Sequence, residues 1–291
     1  MFAACAALGH GIAQARPVAV LKSKSIVAYD RALAGLRATF QEEVHTFDLD
    51  GRLENGPEIT KKILLLQPGV VITIGARAAQ VARAAGFGVP IVYCLVLHPA
   101  RFNLETTGFH GVPLWVPASQ QLAALRRILP RLRRIGLIGN PRKTPQQVED
   151  IRRAARAARV SVAMTRIGDA KDVPAALEQI LPRVDALWLL PDASVLNDES
   201  FRYLLLQAFR RGIAVLAFAR SFVRAGALLA LSPDYRSMGS AAAELAKKVL
   251  EGEAPRTAAA PPAHLTINAT TARRLNIAIP ADLMRSAEIV E

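Results

Sequence analysis

Val70-Val71-Ile72-Thr73-Ile74-Gly75-Ala76-Arg77, continued by a helical pattern over residues 77–85 and by Ile91-Val92-Tyr93-Cys94-Leu95-Val96, reads as strand, glycine turn, helix and strand. The helix closes near Gly86 and Gly88, as helices often do. Two apolar strands joined by a crossover helix imply parallel pairing. The same alternation extends in both directions. Upstream lie a strand at 18–21, the loop Lys22-Ser23-Lys24-Ser25, a helix at 26–40, a strand at 44–48 and a helix at 57–67 with proline in its first turn. Downstream the pattern restarts. Strands are expected at 134–138, 160–164, 186–190, 214–218 and 227–231, and helices at 118–129, 145–158, 173–181, 198–210 and 235–250. A Pro- and Ala-rich connector covers 254–263. The strands are apolar throughout rather than alternating, which is the pattern of strands buried on both faces. The fold class is therefore α/β, with two doubly wound parallel-sheet lobes.

Composition agrees with this. A chain of 291 residues makes about two domains. With 52% hydrophobic and 21% charged residues, wholesale disorder is excluded. The net charge of +13 comes from 37 basic and 24 acidic residues, and permits contact with anionic partners without deciding the fold. Cys5 and Cys94 are too few for a disulfide framework or a zinc site, and Cys94 in its apolar strand reads as an inert core thiol. Residues 1–15 are small and apolar and end in Ala13-Gln14-Ala15, a signal-peptidase pattern that puts the mature start at Arg16. Phe2-Ala3-Ala4-Cys5 loosely resembles a lipobox, which leaves lipid anchoring open. No later stretch has the roughly 18 apolar residues of a membrane-spanning helix. A periplasmic location is expected.

In open α/β sheets, ligands bind where strand carboxyl ends lead into helix N-termini. Those loops supply the candidate ligand-binding residues. In the first set they are Ser23, Ser25, Gly75, Ala76, Arg77 and His98. In the second they are Asn140, Asp192, Arg220 and Ser221. Arg77 and Arg220 are suited to forking a carboxylate, and Asp192 and Asp234 to holding an ammonium. Trp115, where the chain passes between lobes, either stacks on a ligand or packs at the hinge. Enzyme readings find no support: there is no G-x-S-x-G, no phosphate loop, no G-x-G-x-x-G after the first strand, no H-E-x-x-H and no C-x-x-C. No catalytic residue, metal or cofactor is assigned. Arginines cluster at Arg126, Arg127, Arg131, Arg133 and Arg134 and again at Arg152, Arg153, Arg156 and Arg159. No aromatics interleave with them, so they offer no base-stacking platforms. They read first as a solvated face, then as a surface for a membrane partner, with no nucleic acid expected.

These residues, in order, resemble the bacterial ABC-transporter substrate-binding proteins of the tryptophan/tyrosine-type uptake family, with a periplasmic-binding-protein type I fold. The resemblance rests on Leu129-Pro130-Arg131-Leu132-Arg133-Arg134-Ile135-Gly136, on Gly139-Asn140-Pro141, on Val184 through Asp192, on Arg224-Ala225-Gly226-Ala227-Leu228 and on the tail from Ile267-Asn268 to Ile279-Pro280. It runs more loosely through residues 70–79 and 89–93, and covers roughly 17–291. It implies two hinged lobes, 16–113 with 224–258 and 114–223 with 259–291. It implies a small amino-acid-like or carboxylate solute captured in the interlobe cleft and delivered to a permease driven by a separate ATPase, and a monomer. The family more often has Thr or Ser with Pro where Gly75-Ala76-Arg77 stands, and Asp where His98 precedes Pro99. An arginine gained and an acid lost imply a more anionic solute. Two other readings stay open: a ligand-sensing module feeding a signalling partner, and a cytoplasmic enzyme or regulator built on the same lobes.

Overall fold

The computed structural model describes residues 16–40, 43–253 and 255–291. The expected leader and Cys5 lie outside them. Two units form. Unit 1 takes the described residues up to Val112 and Tyr235–Ala259, and unit 2 takes Pro113–Asp234 and Ala260–Glu291.

Unit 1 begins with β1 (Val18–Lys22), α1 (Val27–Thr39), β2 (Val44–Asp48), α2 (Gly56–Leu66), β3 (Val70–Ile74), α3 (Ala76–Ala85), β4 (Ile91–Cys94) and β5 (Phe109–Gly111). Unit 2 follows with α4 (Ala118–Ile128), β6 (Arg134–Gly139), α5 (Pro145–Ala157), β7 (Ser161–Arg166), α6 (Val173–Ile180), β8 (Ala186–Trp188), α7 (Asp198–Arg210), β9 (Ala214–Ala217), α8 (Arg220–Arg224) and β10 (Leu229–Pro233). The chain returns to unit 1 as α9 (Tyr235–Leu250). It finishes unit 2 with β11 (Ala263–Asn268), α10 (Ala269–Arg274), α11 (Ala281–Ser286) and β12 (Glu288–Val290).

The sheet of unit 1 runs β2-β1-β3-β4-β5, all parallel. That of unit 2 runs β12-β11-β10-β9-β8-β6-β7. Both are doubly wound, as expected. One strand departs from the parallel expectation: β11 is antiparallel to β10, with Ser232 opposite His264 and Pro233 opposite Ala263. The chain re-enters unit 2 at the end of the sheet where β10 left it, so the new strand must run backwards. Residues 224–234, expected in the first lobe, also need correction. They belong to unit 2, because β10 pairs with β9 on one side and β11 on the other. Strands β5, β11 and β12 were not anticipated: β5 and β12 have three residues, too few to show a period, and β11 begins at the end of the expected connector 254–263.

The sheet of unit 2 is covered on both faces. One core joins Leu122, Leu125, Val148 and Ile151 of α4 and α5 to Ile135, Leu137 and Leu216. The other joins Ala176, Ile180, Phe201 and Leu204 of α6 and α7 to Leu187, Val215 and Ala217. In unit 1, α2 and α3 lay Ile59, Ile63, Ala78 and Ala82 on Ala19, Leu21 and Val71. The opposite face is closed by α1 against α9, whose backbones touch. A Cβ on Gly35 would collide with the Arg236 carbonyl, and one on Gly239 with the Ala32 carbonyl. Ser240 Oγ donates to the Gly35 carbonyl across this crossing (3.1 Å). Cys94 is free and fully buried, and burial pushes its thiol up to about 12, so it stays protonated at neutral pH.

Candidate functional site

Strand order locates the site in each unit separately. In a doubly wound sheet the ligand crevice opens where successive connections leave in opposite directions. In unit 1 that point lies between β1 and β3, and in unit 2 between β6 and β8. Ser23 and Gly75 follow the first pair of strands; Asn140 and Asp192 follow the second.

At the unit 1 point, Ser23 is buried and its Oγ accepts the Ala78 N–H in the first turn of α3 (2.9 Å), which leaves its own proton to donate. Gly75 holds φ 91° and donates its N–H to the Cys94 carbonyl (2.9 Å). A Cβ there would sit 2.6 Å from the Tyr29 hydroxyl and 2.7 Å from Ser23 Oγ, so both hydroxyls crowd this backbone. The position therefore needs glycine for its conformation and for its space. Burial raises the Tyr29 hydroxyl pKa, helped by Cys94 and Tyr235 and opposed by Arg77, so it remains a proton donor at neutral pH. Ala76 is the first residue of α3. Arg77, the second, is exposed and donates Nη1 to the Gly51 carbonyl (2.8 Å). The start of α3, two hydroxyls and a guanidinium thus gather at this strand end, a donor set with the chemistry to meet an anionic group.

Ser25 is drawn elsewhere. Its hydroxyl donates to Asp48 Oδ2 (2.7 Å) and accepts from Lys22 Nζ (2.9 Å), which also bonds Asp30 Oδ1 (2.8 Å). Lys22 ends the otherwise apolar β1 and is buried. Burial works against its charge, but the bonds to Asp30 and then Asp48 win, and its pKa is raised. Burial likewise works against the Asp48 charge, while the Asp50 N–H, Ser25 and Lys22 outweigh it, so its pKa is lowered. A lowered acid stabilises the fold above the ordinary carboxylate value of about 3.9, and that contribution is lost as pH falls through the folded value. A raised lysine stabilises below about 10.4, and its contribution is lost as pH climbs through the folded value. Urea-unfolding midpoints should therefore fall at both extremes. In Lys22→Met the acid-side fall should shrink; an unchanged acid limb would show that this cluster does not carry it.

In unit 2, Asp192 is buried and its carboxylate is committed. Oδ2 accepts the Asn140 N–H (2.8 Å), and Oδ1 accepts the Ser194 N–H (3.0 Å) and hydroxyl (2.6 Å). Asn140 Oδ1 in turn accepts the Arg142 N–H (3.0 Å). The acid proposed to hold an ammonium thus ties two strand-end loops together. Arg220 opens α8, and its guanidinium is ion-paired with Glu288 of β12 while Nε makes no bond among the described residues. Phe218 and Phe222, 4.8 Å apart and tilted, flank it in sequence, and Phe222 meets Phe201 edge-on at 4.6 Å.

A family model described as ABC transporter substrate binding protein matches residues 35–291. The chain belongs to that family. It is a family of solute-binding proteins, not of enzymes. A tyrosine-binding protein of Clostridioides difficile is 25% identical to this substrate-binding protein over 203 residues, which span 67% of the chain and 58% of that relative. Among solved structures, an ABC domain from Streptococcus pneumoniae in complex with L-Trp is similar at 20% identity and TM-score 0.65, covering 94% of this chain and 99% of that one. The ligand-free, open structure of a Clostridium difficile substrate-binding protein with adhesive properties is similar at 19% identity and TM-score 0.80, covering 95% and 99%. Such likenesses identify the periplasmic-binding-protein fold.

The remaining candidates of this substrate-binding protein are engaged within their own units. His98 is half-buried and starts the turn Pro99–Phe102. Trp115 packs on the unit 2 core and donates Nε1 to Asp150 Oδ2 (2.9 Å), an oxygen that also accepts the Ala118 N–H at the start of α4 (2.8 Å). Ser221 is exposed and its carbonyl accepts the Ala225 N–H (3.1 Å). Asp234 Oδ2 lies 2.8 Å from His264 Nε2. Sequence reading missed Tyr29, which sits in the first turn of α1 with no motif around it. It also passed over Lys22, whose signal was present: a lone charge ending an apolar strand. Among the described residues, no cluster of metal-binding side chains occurs and no helix is long and apolar enough to cross a membrane.

Proposed function

We propose that this substrate-binding protein is exported, takes a small amino-acid-like or carboxylate solute between its two units, and passes it unchanged to a permease driven by a separate ATPase. The observation that carries the reading is the donor set at the opening of α3, Ser23, Tyr29 and Arg77 with the helix N-terminus, which suits a carboxylate. Asn140 and Arg220 are proposed as the contacts from unit 2, with Asp192 holding the loop that presents Asn140. The half-buried Phe218 and Phe222 give that side an aromatic wall. Tyrosine and L-Trp, the ligands named for its relatives, head the list of solutes to try. The Ala13-Gln14-Ala15 pattern supports the export part of this reading. Closure is driven only by contacts the solute makes in the closed state.

A thermal-shift screen of aromatic amino acids, other amino acids and organic acids tests this. A true solute at 100 times its Kd stabilises by about 2.7 kcal/mol. Arg77→Ala should then weaken a carboxylate solute by about 1–3 kcal/mol in calorimetric titration. No stabilising solute in any class, or turnover of the bound one, would count against the proposal. An unchanged Kd in Arg77→Ala would take that residue out of the site.

A further inference from the structure

The amino edge of the unit 2 sheet, opposite the strand ends that carry Asn140 and Asp192, bears a field of arginines. α4 and α5 end there, and the chain enters β6, β7 and β8 there. Bonds between these connections place the side chains together. Arg126 Nη1 donates to the Ala158 carbonyl (3.3 Å), Arg134 Nε to Ser161 Oγ (3.2 Å) and Arg134 Nη1 to the Arg183 carbonyl (3.3 Å). The Ser161 N–H bonds the Arg133 carbonyl (2.8 Å). Arg131 and Arg159 stand in the same connections. All six are exposed, and none has a carboxylate partner among the described residues. Asp185, the acid in their midst, spends Oδ2 on the backbone N–H groups of Arg133 and Arg134 (2.7 and 2.8 Å).

Folding does not reward this arrangement. A cation in the last turn of a helix complements its dipole, which accounts for Arg126. Arg131, Arg133 and Arg159 lie outside every helix and repel one another. The field contains no aromatic ring, so it lacks the stacking surface that single-stranded nucleic acid needs. Beside it lies a mainly apolar depression of about 620 Å³, lined by Leu129, Pro130, Ile277 and Ile279 together with Arg131 and Asp185. Exposed cations on long aliphatic stems around an apolar recess match the layering of a bilayer interface, with phosphates above and the acyl boundary below. We propose that this edge of unit 2 docks the protein on an anionic phospholipid surface. The proposal does not depend on which solute is bound.

Flotation of the full chain with phosphatidylcholine vesicles, with and without phosphatidylglycerol, tests it. Binding is expected only with phosphatidylglycerol and should fade as salt is raised. A variant with Arg131→Gln, Arg133→Gln and Arg159→Asn should bind about a hundredfold more weakly, at about fivefold per charge. Asparagine at 159 keeps the left-handed backbone found there (φ 56°). A control with Arg142→Gln, Arg166→Gln and Arg202→Gln removes three exposed arginines after β6, at the end of β7 and near the start of α7, giving the same net charge at the opposite, carboxyl edge. It should change binding by less than about threefold. Arg131→Gln alone, outside every element, should cost about fivefold and covers the case in which the triple variant fails to fold. Equal losses in both triple variants, no preference for phosphatidylglycerol, or displacement of the protein from vesicles by duplex DNA would each overturn the proposal.

Discussion

Gly35→Ala is expected to lower the unfolding free energy by about 3 kcal/mol, read as a fall in the urea midpoint at unchanged slope. The sign is what makes the test sharp. At an exposed mid-helix position, alanine in place of glycine stabilises by about 0.5–1 kcal/mol, because glycine loses more backbone freedom on folding. Here the added methyl meets the Arg236 carbonyl, a backbone atom that cannot rotate away, and α1 and α9 must part. Parting them opens the face on which Ala32 and Leu36 of α1 and Ala242 and Ala243 of α9 are buried. Gly239→Ala strikes the Ala32 carbonyl from the other helix and should behave alike. Because the two substitutions break one contact, the double variant should cost less than the sum. A neutral or stabilising Gly35→Ala would mean that the helices do not cross this closely.

Asp192→Ala should destabilise by about 3 kcal/mol and weaken solute binding as well. The buried carboxylate satisfies the Asn140 N–H and both donors of Ser194, and each buried donor left unpaired costs about 1–3 kcal/mol, offset in part by removing a buried charge. Asp192→Asn keeps one acceptor oxygen and should recover part of the stability. Binding should recover with it if Asp192 acts by positioning Asn140. If Asp192→Asn recovers stability but not affinity, the carboxylate touches the solute directly. A loss below about 0.5 kcal/mol for Asp192→Ala would remove it from the framework of the loop.

Much of this fold was legible before any coordinates. The apolar runs, the glycine after Ile74 and the helix patterns between them define two doubly wound units, because strand burial and helix period are local properties of the chain. The loops at the strand ends were found the same way, and Ser23, Gly75, Asn140 and Asp192 do stand at the two points where the strand order reverses. The reading failed where partners come from afar. Residues 224–234 look like any other strand and turn, and only pairing with β9 and β11 assigns them to unit 2. For Trp115, stacking on a ligand and packing at the hinge are both compatible with the fold, but no local pattern shows that Asp150, 35 positions on, accepts its indole N–H.

The amino-acid sequence by itself thus determined which segments are buried, how they alternate and which polar residues stand at their ends. Tertiary structure alone decided what those polar groups bond to. Ser23 meets the Ala78 N–H across 55 positions and Asp192 meets that of Asn140 across 52, and such meetings depend on strand order and register, which no local pattern records. The same holds for Arg220, suited in sequence to a free carboxylate and found in the fold against Glu288.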